Sequence, residues 1–150
     1  MKTQHFYGAI AALDEQMGRL RETLRYLKIE RNTMLWYASD NGPEGDAQVS
    51  NSPGNAGPFR GRKRSLFEGG IRMPALLSWP GRIPPGRVVH EPAIAMDIFV
   101  TVAGAAGARP PADRKIDGLD ILPTVVKSGP SPHSTLFWAQ GEQTAVRRGN

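Results

Sequence analysis

The chain has no cysteine among its 150 residues, which excludes disulfide cross-links and thiolate metal sites without fixing a compartment. It also lacks any apolar run near the roughly 18 residues that a membrane span needs. Its first residues do not follow the basic-then-apolar order of a signal peptide. No internal repeat and no nucleic-acid fold signature is present. The net charge of +5 is therefore read locally: Arg60, Arg62, Lys63, Arg64 and Arg72 gather in one segment, where they describe a solvated or anion-facing loop. The aromatics of that segment are Phe59 and Phe67, too few for a base-stacking platform, so nucleic acid is not expected as a partner.

What is present reads as an α/β chain. Phe6, Ile10, Leu13, Met17, Leu20, Leu24 and Leu27 recur at alternating intervals of three and four, which predicts a helix over residues 3–28 with that stripe in the core. Arg19, Arg21, Glu22 and Arg25 fall off the stripe, and Asp14 beside it is expected to make a structural hydrogen bond. A short connection leads to Thr33-Met34-Leu35-Trp36-Tyr37-Ala38-Ser39, whose near-continuous apolar character predicts a strand buried on both faces of a sheet. Residues 42–61 are rich in Gly, Pro, Ser and Asn and read as a long loop. Residues 74–80 read as a second buried strand closed by Pro80-Gly81. Asp97 is placed to cap a helix ending near Gly107, and Asp120 to cap a short helix over 121–127 with Pro123 in its first turn. Residues 135–139 and 144–147 read as strands around a turn.

Chemistry concentrates after the first strand. Asp40-Asn41-Gly42 stands at a strand's C-terminal edge, where ligands of open α/β sheets collect, and a carboxylate with an amide oxygen suits a hard divalent cation. Lys63 follows about twenty residues later and can hold an anion that the cation also touches. The spacing of Asp113, Asp117 and Asp120 does not match an EF-hand loop. Glu68 and Arg72 are spaced for a helical ion pair, and Gly69-Gly70 for a tight backbone path.

Seven segments occur in one order: Tyr7-Gly8-Ala9-Ile10-Ala11-Ala12-Leu13-Asp14, Ser39-Asp40-Asn41-Gly42, Lys63 to Pro74, Trp79-Pro80-Gly81, Met96-Asp97-Ile98-Phe99, Ile116-Asp117-Gly118-Leu119-Asp120 with Leu122-Pro123-Thr124, and Ala145-Val146-Arg147-Arg148-Gly149. In that order they resemble the sulfatase family, the arylsulfatase-like sulfuric ester hydrolases of the alkaline-phosphatase-like superfamily, over nearly the whole chain. The resemblance implies a partial alkaline-phosphatase-like α/β/α sandwich over residues 1–130 and the start of a small C-terminal antiparallel sheet over 131–150.

It also implies a division of labour that this chain does not complete. The family's Cys(or Ser)-x-Pro-x-Arg motif, whose first residue becomes a formylglycine nucleophile, is expected outside this chain: there is no cysteine, and Ser128-Gly129-Pro130-Ser131-Pro132 lacks the arginine. His5, His90 and His133 match neither the Lys-x-His nor the His-x-Pro element that contacts sulfate. The expectation is an internal to C-terminal piece, cut near Arg148-Gly149-Asn150, with the nucleophile, the formylglycine and two metal-binding aspartates in an N-terminal half. By the same resemblance Asp40 and Asn41 complete an oxygen shell around calcium, with magnesium as the alternative, because Asn41 stands where two-zinc relatives carry an imidazole. Lys63 then pairs with the oxygens of a sulfate ester of aryl or carbohydrate type, while Arg62 and Arg64 face solvent. The parent is expected to be exported. Two further readings stay open: a fragment of a related phosphatase or phosphodiesterase, and a noncatalytic anion-binding module built on the basic run.

Overall fold

A computed structural model describes residues 2–45 and 53–149; residues 46–52, part of the expected long loop, lie outside them. The amphipathic N-terminal segment forms helix α1, Lys2–Tyr26, supported by an Arg19–Glu15 ion pair at 2.7 Å one turn apart. It ends in a Schellman arrangement. Lys28 takes a left-handed φ of 59°, its N–H donates to Arg25 O, and Ile29 N–H donates to Leu24 O, so carbonyls that the last turn would orphan are satisfied. A single 3-10 turn, Glu30–Asn32, carries the chain into strand β1, Leu35–Ala38.

The apolar stripe of α1 is not core in this chain. Phe6, Ile10, Leu13, Leu20 and Leu27 are exposed, and only Met17 and Leu24 are half-buried. Periodicity reports which face of a helix is apolar; burial requires a second surface to lie on it. Among the described helices and strands, the element that α1 meets most is the adjoining 3-10 turn. Asp14 is likewise exposed, and among the described residues it does not make the structural hydrogen bond expected of it.

Strand β1 pairs antiparallel with β2, Ala75–Ser78, in the register Leu35↔Ser78, Trp36↔Leu77, Tyr37↔Leu76 and Ala38↔Ala75. The expectation of a first strand buried on both faces and of a buried second strand is overturned. Trp36 and Leu77 share a half-buried face, whereas Tyr37 and Leu76 on the other face are 41% and 66% exposed. A two-stranded ribbon has no layers to bury it on two sides. Between the strands comes the one-turn helix α2, Glu68–Ile71.

These elements, with the hairpin tip Ala139–Ala145, form one compact unit reaching to Gly81; Arg82–Trp138 with Val146–Asn150 forms the other. The second unit contains α3, Asp97–Ala105, and α4, Leu122–Lys127. Its buried apolar residues are Ile83, Ile121 and Leu136. Helix α3 stops as expected, with Gly107 at φ 73° beyond its end. Helix α4 carries Pro123 in its first turn, and Asp120 accepts from Leu122 N–H at 2.9 Å, one residue ahead of the Ile121 cap. Arg87 Nη1 donates to Val125 O at 3.2 Å, near the C-terminal end of α4, where a cation is favoured. Strands β3, Thr135–Gln140, and β4, Gln143–Arg148, pair as a hairpin across Gly141-Glu142.

Candidate functional site

The site is organised by backbone contact between two loops. After β1 the chain turns at Ser39 to Asn41: Ser39 Oγ donates to Asn41 O and Asn41 Nδ2 donates to Gly42 O, each at 2.9 Å. Because the amide nitrogen is committed to a carbonyl, the Asn41 side chain has its oxygen left to offer a cation. Gly42, buried, donates its N–H to Gly70 O at 2.9 Å, and Lys63 N–H donates to Pro43 O at 3.1 Å. The Lys63 loop is thereby held against the Asp40-Asn41 turn.

Only glycine permits this approach. A Cβ on Gly42 would fall 1.9 Å from Gly69 O, and one on Gly70 would fall 2.0 Å from Ser65 O, separations that no side-chain carbon tolerates. Gly69 N–H closes the loop on Arg60 O at 2.7 Å. Gln143, at the hairpin tip, pins it from another side: its Nε2 donates to Arg64 O at 3.1 Å and its Oε1 accepts from Leu66 N–H at 3.4 Å. In the sequence Gln143 falls in the turn between the runs 135–139 and 144–147; in the structure it opens β4. A separation of 77 residues leaves no local signal for that contact.

Every cation of the basic run has a partner, and Lys63 and Arg64 share one. Arg60 lies 4.1 Å over the Phe67 ring and Arg72 lies 4.8 Å over that of Phe59, cation–π contacts that occupy the segment's two aromatics from within. Arg72 also pairs with Glu68 at 2.9 Å, as their spacing predicted. Arg62 does not face solvent as expected. It donates to Gly54 O, and its Nε is buried without a hydrogen-bond partner among the described residues, so this arginine braces the loop. Lys63 Nζ stands 3.6 Å from Glu44 Oε2. Arg64, at a left-handed φ of 72°, donates to Glu44 Oε1. That hydrogen bond holds the Glu44 carboxyl below its usual range and raises the Arg64 guanidinium. Glu44, Arg62, Lys63, Arg64 and Ser65 line one open depression.

The donor set suits a hard cation in kind and falls short in number. Asp40 is exposed at the turn and Asn41 has its side-chain oxygen to give, but among the described residues no group of three or more metal-binding side chains gathers. Calcium takes six to eight oxygens, so these two residues account for part of a shell. The three aspartates weighed as a second site are engaged separately: Asp113 with Arg114 at 2.8 Å, Asp117 with Lys115 at 3.2 Å, and Asp120 with the Leu122 amide.

The second unit contains a polar cluster that sequence reading missed. Asp97 is fully buried, and it is not the expected N-cap, because it lies inside α3 and makes no capping bond. Its Oδ2 accepts from Ile94 N–H at 2.9 Å, its Oδ1 accepts from Leu119 N–H at 2.8 Å, and His133 Nε2 sits 2.8 and 2.9 Å from the two oxygens. The carboxylate ties three separate stretches of chain together. Burial of such a group is tolerable only because each oxygen is met by donors. Ser131 extends the cluster, its Oγ donating to Pro92 O at 2.6 Å and its N–H to Glu91 Oε2 at 2.9 Å.

Residues 2–108 match the family model described as Sulfatase. The chain belongs to the sulfatase family. Sulfatases dominate the similar proteins as well. N-acetylgalactosamine-6-sulfatase of Canis lupus familiaris is 42% identical over 139 residues, covering 91% of this chain and 26% of that protein. Steryl-sulfatase of Rattus norvegicus is 42% identical over 136 residues, 87% of this chain and 24% of that protein. Among solved structures, the PsFucS1 sulfatase from Pseudoalteromonas sp. superposes with a TM-score of 0.82 at 28% identity, covering 93% of this chain and 28% of that one. The chain thus spans about a quarter of the length of the sulfatases it matches, and its architecture is a part of the alkaline-phosphatase-like α/β fold with small antiparallel sheets.

Proposed function

We propose that this chain supplies the sulfate-holding loop and part of the cation shell of a sulfuric ester hydrolase acting on aryl or carbohydrate sulfates. The observation that carries the reading is the docking of the Lys63 loop onto the Asp40-Asn41 turn, through Lys63 N–H to Pro43 O and Gly42 N–H to Gly70 O. The loop that carries Lys63 is held against the turn that carries Asp40 and Asn41 by contacts that tolerate no side chain at Gly42 or Gly70, which supports reading the three as parts of one site.

In this reading Asp40 and Asn41 hold calcium, or magnesium, together with ligands from outside this chain. A cation held there would supply Lewis-acid polarisation of the sulfate oxygens. Lys63 binds the sulfate and stabilises charge developing on the transferred group, an electrostatic role that costs little reorganisation when the donor is already fixed. The chain has no cysteine, and its Ser-x-Pro-x-Arg match, Ser78-Trp79-Pro80-Gly81-Arg82, begins at the residue paired with Leu35, the end of the β1–β2 ribbon away from Asp40. In this reading the nucleophile therefore comes from outside the chain, which by itself does not turn over sulfate esters. Residues from 131 onward begin the smaller C-terminal sheet, and the parent protein is exported.

The test is to place residues 1–150 as the corresponding quarter of a complete sulfatase and to measure calcium affinity by chelator competition alongside aryl sulfate hydrolysis. Asp40→Ala and Asn41→Ala should each weaken calcium binding, and the isolated chain should show neither tight calcium binding nor turnover. Calcium affinity that survives the double variant would put the cation elsewhere.

A further inference from the structure

Lys63 and Arg64 do not present bare charge to an incoming anion. Glu44 divides its two oxygens between them, Oε1 accepting from Arg64 and Oε2 facing the Lys63 ammonium at 3.6 Å. Backbone holds the carboxylate as well: Gly45 N–H donates to Glu44 Oε1 at 3.1 Å, and the Lys63 N–H to Pro43 O bond joins the residue before Glu44 to the Lys63 loop. All three side chains line the same open depression. With Lys63 39% and Glu44 57% exposed, the pairs are weak enough for a solute anion to compete. A carboxylate with its oxygens on two cations occupies the position that two oxygens of a tetrahedral oxyanion would take.

We propose that Glu44 is the resident counter-anion of the Lys63–Arg64 depression, which a sulfate or sulfate-ester group must displace, so that Glu44 sets the anion affinity of the loop. The inference rests on the reading of Lys63 as the sulfate-holding lysine and adds a residue that opposes it. A fixed negative charge within a few ångströms of the incoming anion disfavours binding by an amount that solvent reduces but does not erase. Protonating Glu44 removes that charge. Arg62, Lys63 and Arg64, the other titratable groups lining the depression, stay cationic under acidic conditions, so sulfate affinity should rise as the pH falls through the Glu44 titration.

The experiment titrates inorganic sulfate into the 150-residue chain at constant ionic strength, following the amide resonances of Gly61 to Ser65. Glu44→Gln should bind sulfate about fivefold more tightly than the unsubstituted chain, Glu44→Ser should show a similar gain, and both should lose the rise in affinity at acid pH. Glu68→Gln removes a carboxylate that pairs with Arg72 outside the depression and should change little. An equal gain in Glu68→Gln would reduce the effect to net charge and overturn the proposal. So would unchanged affinity in both Glu44 variants, or no measurable sulfate binding by any of these proteins. Lys63→Ala separates two failures. If it weakens sulfate binding while the Glu44 variants change nothing, the counter-anion role alone falls; if it leaves binding intact, the reading of Lys63 falls and takes this inference with it.

Discussion

Gly42 and Gly70 meet backbone to backbone, the N–H of the first donating to the carbonyl of the second at 2.9 Å, and this contact joins the turn carrying Asp40 and Asn41 to the loop carrying Lys63. Neither partner tolerates a larger residue. A methyl group on Gly42 would lie 1.9 Å from Gly69 O, and backbone oxygen has no flexible end to swing aside. Gly42→Ala should therefore destabilise the first unit by about 1–3 kcal/mol, the usual cost of overpacking a filled site. Thermal melts check the stability, and the Lys63 amide shift checks whether the loop has come away. A native melting curve with an unmoved Lys63 resonance would contradict the docking described above.

The buried Asp97 offers a sharper test, because its surroundings are all donors. Ile94 N–H meets Oδ2 and Leu119 N–H meets Oδ1. An asparagine, whichever way its amide is turned, must place an NH2 group against one of those amides. Asp97→Asn should thus cost nearly as much as Asp97→Ala, roughly 3 kcal/mol in urea denaturation, since either leaves a buried donor without an acceptor. His133→Ala should cost less than either, because both backbone donors keep their acceptor. A nearly neutral Asp97→Asn would mean that the oxygens are not held as a pair.

How far these features could be read in the sequence depends on how local they are. The α1 helix and its stripe were visible because Phe6 to Leu27 follow a 3.6-residue period, and the Glu68–Arg72 pair because it spans one helical turn. The hairpin around Gly141-Glu142 was marked by two apolar runs about a short polar turn. Burial was not legible, since it depends on what covers a face: the stripe and the Tyr37–Leu76 pair are apolar yet exposed. The role of Asp97 was misread because an aspartate before an apolar run signals a cap, while its real partners lie 22 and 36 residues away. The pairing of Glu44 with Arg64, 20 residues apart, gave no signal for the same reason. The turn at Asp40-Asn41 after β1 and the close backbone path at Gly69-Gly70 were legible, because a strand end and a glycine pair are local features.

The exposed stripe gives a direct check on that distinction. Ile10 and Leu13 are 48% and 46% exposed, so Ile10→Ser and Leu13→Ser should shift the stability of this chain by no more than about 0.5 kcal/mol apart from a small helix-propensity term. Leu136→Ala in the second unit, where the side chain is buried, should cost about 2–5 kcal/mol. Similar losses at all three positions would show that the stripe is covered in solution.

The Glu44–Arg64 link carries a pH signature with a definite sign. Arg64 lowers the Glu44 carboxyl below its ordinary value. The link therefore contributes fully at pH above the unfolded carboxylate pKa, and the contribution disappears as the pH falls through the lowered folded value. A carboxyl-detected NMR titration should place the Glu44 midpoint below that of a free glutamate, and Arg64→Gln should move it back up. Both groups are exposed, so added salt should shrink the difference. A midpoint indifferent to Arg64→Gln would remove the guanidinium as its cause.

The last expectation concerns a complete sulfatase carrying this sequence, where Lys63→Ala should reduce sulfate-ester hydrolysis by about 10²- to 10³-fold, the usual cost of losing a fixed donor aimed at developing charge. Arg64→Ala removes the other cation that holds Glu44, so it should weaken substrate binding, a loss read in KM, while its loss of kcat stays well below that of Lys63→Ala. Arg62→Ala is a different experiment. That side chain donates to Gly54 O and has a buried Nε, so its loss should lower the melting temperature and depress the rate through loop disorder. Steady-state kinetics read beside thermal melts separate the cases: Lys63→Ala should lose rate with a native melt, Arg62→Ala should lose both together, and Arg64→Ala should raise KM with kcat and the melt little changed. Small, equal losses at all three would take Lys63 out of the chemistry and leave the basic run as a surface that merely attracts anions.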